Sequence, residues 1–144
     1  MNSPVKNICQ EENIIGTIFQ HCPDVQAIYL FGTYGTGDQW PDSDADVALL
    51  LDVQAAKQAD FFLFSDLHSD LEELLEGKTD ILNLRKISTV FQKEVIMANR
   101  RIYCADLYAA EEFEMLTLSF YQKLNEERKA ILESFEETGK AYAV

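Results

Sequence analysis

Two aspartates, Asp44 and Asp46, stand two residues apart at the head of an apolar run, "DADVALLL" at 44–51. An extended chain directs residues i and i+2 to the same face, so these carboxylates project side by side, about 7 Å apart at Cα. Ionised groups so placed repel one another, and they are costly to take out of water unless a proton or a cation is shared between them. Hard divalent ions, Mg²⁺ above all, accept such oxygen ligands together with substrate phosphates. Asp80 opens a later apolar segment, "TDILNL", and supplies a third carboxylate if the two segments are neighbours. Three carboxylates around one or two metal ions suit an in-line displacement at phosphorus.

The residues before the aspartates fit the same chemistry. The apolar segment "VQAIYLF" ends at Gly32-Thr33, and Gly35 and Gly37 follow. Glycines let backbone N–H groups approach an anion closely, and Thr33 adds a hydroxyl. Glycines alone, or an Asp-x-Asp alone, would describe a tight turn with solvated aspartates. Gly32-Thr33, then ten residues, then Asp44-Ala45-Asp46, with Asp80 further on, is far more specific.

The elements that must position these groups can be read from periodicity. Residues 6–21 carry a loosely amphipathic helical pattern closed by Pro23, and 25–31 is rich in β-formers. The 44–51 run is apolar almost throughout, which predicts a strand buried on both faces. Residues 54–76 step at helical spacing, with Gly77 at the expected stop, and 78–85 reads as a third strand. Ser88 caps a helix running to about Ala98, and 100–106 is a short strand or extended segment. From 108 to 138, Phe113, Leu116, Phe120, Leu124, Ile131 and Phe135 form one stripe of a long amphipathic helix, part of which is available to a partner. The sum is an α/β protein with a small mixed sheet flanked by helices, read as a single domain over 1–144.

Composition narrows the function. Twelve basic residues against 25 acidic ones give a net charge of −13, which disfavours direct nucleic-acid binding and suits a basic protein partner or divalent cations. No apolar run is long enough to span a bilayer, and the amino terminus lacks the form of a signal peptide. Cys9, Cys22 and Cys104 have no metal-type spacing and read as reduced thiols, so a cytoplasmic location is expected. His21 and His68 lack ligand partners at metal spacing and read as ordinary helix residues.

The Gly32-Thr33…Asp44-x-Asp46 pattern resembles the Gly-Ser, ten residues, Asp-x-Asp signature of the DNA polymerase β-type nucleotidyltransferase superfamily. Size and element order are similar to its minimal nucleotidyltransferase (MNT) branch. "TDILNLRKISTVFQKEVI" and "LSFYQKLNEERKAILESF" further resemble parts of the MntA type of antitoxin, which pairs with HEPN-domain RNase toxins. The resemblance covers roughly residues 25–135. It implies a polymerase β-type core in which Gly32 and Thr33, with Gly35 and Gly37, bind the nucleotide triphosphate. Asp44 and Asp46 become Mg²⁺ ligands, and Asp80 a catalytic base or second-metal ligand.

Thr33 stands where a serine is usual, and Thr36 where many relatives carry an arginine, which shifts phosphate charge toward Mg²⁺, backbone N–H groups and Arg85 or Lys86. The implied activity is an Mg²⁺-dependent protein adenylyltransferase in a type VII-like toxin–antitoxin pair. It would move AMP from ATP to a tyrosine of the cognate HEPN toxin, in a hetero-oligomeric complex. The alternatives are an antitoxin that occludes its toxin without catalysis and an enzyme acting on a small hydroxylated molecule such as an aminoglycoside. For the latter, 144 residues leave little room for an acceptor-binding domain.

Overall fold

The computed structural model describes residues 11–32, 45–59 and 61–138. Four short apolar segments form β1 (Ala27–Phe31), β2 (Ala45–Leu50), β3 (Thr79–Asn83) and β4 (Arg101–Cys104), in the spatial order β3-β2-β1-β4. β1 pairs antiparallel with β2 and β4, while β2 and β3 run parallel. The sheet is therefore mixed. A parallel pair needs a crossover, and α2 (Val53–Gln58) and α3 (Phe61–Leu75) supply it.

Alternation along β1 and β2 divides the core in two. Ile28, Leu30, Val47 and Leu49 face one side, where Ile14 and Ile18 of α1 (Glu11–His21) and Leu67 and Leu71 of α3 cover them. Ala27, Tyr29, Ala48 and Leu50 face the other, beneath Val95 of α4 (Thr89–Met97) and Ala110 and Phe113 of α5 (Leu107–Thr138). β2 is buried on both faces, as its near-continuous apolarity predicts. Ser88 caps α4 as expected, its Oγ accepting from Phe91 N–H at 3.2 Å.

Two expectations change, and the stop expected at Gly77 holds with Glu76 as its left-handed residue. The single helix expected over 54–76 is two, because Ala59 is extended (φ −65°, ψ 124°). Side chains from later in the chain take the carbonyls at the end of α2: Asn83 Nδ2 donates to Ala56 O at 2.9 Å, and Lys86 Nζ to Lys57 O at 3.3 Å. At the end of α3 the left-handed residue is Glu76 (φ 54°), and Gly77 N–H closes back on Glu72 O at 3.3 Å. The stripe expected on α5 is also rotated. Phe113 is buried, but Leu116, Phe120, Ile131 and Phe135 are exposed, and the buried line runs through Ala110, Phe113 and Thr117. Small residues at 110 and 117 let the helix come close, and bulk at 116 and 120 is left outside. The part of the predicted first helix before Glu11 lies outside the described residues.

Candidate active site

Sheet register assembles the site. In the parallel pair Asp46 lies beside Asp80, and in the antiparallel pair it lies opposite Phe31. Neighbouring strands are about 4.8 Å apart, so carboxylates 34 positions apart in sequence become neighbours at one end of the sheet. By strand alternation both share the face of Ala48 and Leu50, which α4 and α5 cover further along. Asp46 is half-buried and Asp80 is exposed.

Gly32, directly after β1, holds φ at +78°, and a Cβ there would overlap Asp46 Oδ2. Both facts require glycine, the first for backbone conformation and the second for space. The chain leaving β1 thus passes directly against the carboxylate. Thr33, Gly35, Gly37 and Asp44 lie outside the described residues.

Arg85 is not brought to these groups. It follows β3 in a 3₁₀ turn (Leu84–Lys86), at the opposite end of the strands from Asp80. The five steps of extended chain from Asp46 to Leu51 span roughly 17 Å. There Arg85 Nε donates to Leu51 O, its Nη2 donates to Gln26 Oε1 at 3.0 Å, and its guanidinium lies 5.5 Å from the centre of the Phe113 ring. Burial pulls its pKa below the ordinary arginine value, against an opposing pull from Asp52. Its donors hold the fold together far from the carboxylates, and Lys86 is likewise spent on Lys57 O.

Basic residues that do reach the carboxylate end include Arg100 and Arg101, at the start of β4, and the exposed Lys78, just before β3. In the sequence Arg100 and Arg101 only open a short strand or extended segment. The available signal was an Arg-Arg pair in a chain with 25 acidic residues. Among the described residues no group of three or more His, Cys, Asp or Glu side chains gathers to hold a metal. The described pair, Asp46 with Asp80, offers hard oxygen donors of the kind Mg²⁺ takes, and the missing side chain at Gly32 lets the Asp46 carboxylate sit against the backbone at the end of β1. These residues fit the ion.

A polymerase β nucleotidyltransferase model matches residues 12–108, which include the sheet and both described aspartates. The chain belongs to the polymerase β nucleotidyltransferase family. Within it, the chain is similar to the protein adenylyltransferase MntA of Shewanella oneidensis, being 34% identical over 123 residues that make up 85% of each protein. It is also similar to a toxin–antitoxin crystal structure with AMP-PNP, at 31% identity and a TM-score of 0.74 over 89% of this chain and 99% of that one. The structure of a tri-AMPylated Shewanella oneidensis HEPN toxin in complex with its MNT antitoxin matches at 30% identity, with a TM-score of 0.68 over 88% of this chain and 95% of that one.

Proposed function

We propose that this nucleotidyltransferase is an antitoxin that adenylylates its cognate HEPN-domain RNase toxin. The tyrosyl oxygen attacks the α-phosphorus of ATP, the bond from that phosphorus to the β-phosphate oxygen breaks, and pyrophosphate leaves. Asp80, exposed at the mouth of β3, receives the tyrosyl proton. Asp44 and Asp46 would hold Mg²⁺, with Asp80 as a further ligand should a second ion bind. The ion would supply a lowered hydroxyl pKa and neutralisation of charge on the α-phosphate. Gly32, Thr33, Gly35 and Gly37 offer backbone N–H groups and a hydroxyl to the triphosphate. Arg85 has no part in this site.

The observation that carries the proposal is the register of Asp46 beside Asp80, with Gly32 passing directly over Asp46. A named adenylyltransferase among its relatives and an AMPylated toxin bound to a similar antitoxin support the substrate class. The net charge of −13 suits a partner whose RNA-binding surface must be basic. Among the described residues no helix is long and apolar enough to cross a membrane.

Intact mass spectrometry of the toxin after incubation with ATP and Mg²⁺ tests the proposal, with wild type and Asp46→Asn side by side. The expected result is a gain of one or more adenylyl groups that the variant fails to produce. Equal gain with both proteins refutes the mechanism. No gain with either, while the complex still forms, leaves an antitoxin that acts by occlusion.

A further inference from the structure

The end of the sheet that carries the carboxylates continues past β1. Leu30 N–H donates to Arg100 O at 2.9 Å, and Tyr29 is in register with Arg101. The start of β4 is therefore close to the level of Gly32, on the side of β1 away from Asp46. Read across this end, the strands present Asp80, Asp46, the Phe31–Gly32 turn and then Arg100 and Arg101. Two strand spacings separate the arginines from Asp46, about 10 Å.

A cavity of about 200 Å³ opens at the arginines, lined by Tyr29, Ile96, Asn99, Arg100, Arg101 and Glu114. Glu114 Oε2 accepts from Tyr29 Oη at 2.6 Å and from Arg101 Nη1 at 2.7 Å. One carboxylate against two guanidiniums leaves one positive charge, and it falls on Arg100. Arg100 Nη1 is closed off from water with no acceptor among the described residues. A charged donor left in that state is expensive unless an incoming group uses it.

The sequence raises the matching need. Residues 33–44, "TYGTGDQWPDSD", contain no Lys or Arg, although a triphosphate brings several negative charges. Lys78, the other basic residue near this end, precedes β3 and is exposed on the opposite flank.

We propose that the cavity receives the β- and γ-phosphates of the nucleoside triphosphate, and that Arg100 is the cation that binds them. The guanidinium turns into the cavity and gives its unmet donor to a phosphate oxygen. Arg101 stays paired with Glu114 and forms the wall. This assignment rests on the nucleotidyl-transfer reading and adds to it a residue that selects triphosphate over monophosphate.

Calorimetric titration of the full chain in Mg²⁺ with ATP, AMP and tripolyphosphate tests it, using wild type, Arg100→Gln, Arg100→Lys and the charge-matched Lys78→Gln. Arg100→Gln is expected to weaken ATP and tripolyphosphate by roughly ten- to a hundredfold, as when a charge-assisted hydrogen bond is lost, and to leave AMP unchanged. Arg100→Lys restores part of the loss, and it carries the test should the glutamine variant melt early. Unchanged ATP affinity in Arg100→Gln overturns the assignment, as does an equal loss with AMP or with Lys78→Gln. If Arg100→Gln keeps ATP but loses the toxin, the cavity serves an acidic group of the acceptor instead. A wild type that binds no nucleotide removes the nucleotidyl-transfer reading itself, whereas wild-type binding with an indifferent Arg100→Gln removes only the role of Arg100.

Discussion

The two ends of the central strands treat charge in opposite ways. At the end where β2 gives way to α2, Arg85 is engaged by Leu51 O, Gln26 and the Phe113 ring, all within the chain. At the other end Asp46 and Asp80 are set side by side, and an arginine that lines a cavity has a buried donor with no acceptor among the described residues. Charge answered inside the fold serves the fold. Charge gathered at an open edge can also serve a ligand.

Substitutions should divide along the same line. The largest effect is expected from Asp46→Asn, with transfer falling by roughly a thousandfold or more and the thermal midpoint held near wild type. A matching collapse of the midpoint would make Asp46 structural and erase the distinction. Gly32→Ala comes next, because it meets both the positive φ and the Asp46 carboxylate. It should cost about 1–3 kcal/mol of stability and most of the activity, read by denaturant titration beside the mass assay.

Arg85→Met should do the reverse. Stranding Leu51 O and Gln26 costs about 1–3 kcal/mol, while the folded fraction transfers AMP at the wild-type rate. Slower turnover at full occupancy of the folded state would bring Arg85 back into the reaction.

The smallest effect concerns Tyr29, between the two ends. Burial first, and then its bond to Glu114, push its pKa well above the ordinary tyrosine value, with Arg101 opposing. A folded pKa raised above the unfolded one gives stability that is complete below about pH 10 and is lost as pH rises through the folded value. Tyr29→Phe should therefore cost about 1 kcal/mol at neutral pH and show a shallower decline in stability above pH 10 than wild type.

Much of this was legible in the residues. Apolar runs located β1, β2 and β3, the segment read as a short strand or extended stretch holds β4, and the positions of Asp46 and Asp80 at strand openings anticipated their meeting. Ser88 announced its helix through local chemistry alone. What escaped depended on contacts distant in sequence. The break after α2 is made by Asn83 and Lys86, which sequence reading had no reason to bring there. Arg85 follows a strand whose opening residue is at the site, and only the parallel pairing with β2 shows that the far end of that strand lies elsewhere. The buried line of α5 was set by Ala110 and Thr117, small residues that a search for large apolar ones passes over.

The second half of α5 has a consequence for the size of the molecule. The helix is 32 residues long, roughly 48 Å at full extension, and between 125 and 137 every side chain except Ser134 is exposed. Helical segments of that length without tertiary support are marginal in water, and their order depends on local pairs such as Lys129–Glu133. Salt and heat both weaken such pairs and such turns. The protein's hydrodynamic length should therefore contract continuously with temperature and ionic strength, well before the sheet gives way, and hold constant wherever another surface lies along those last turns.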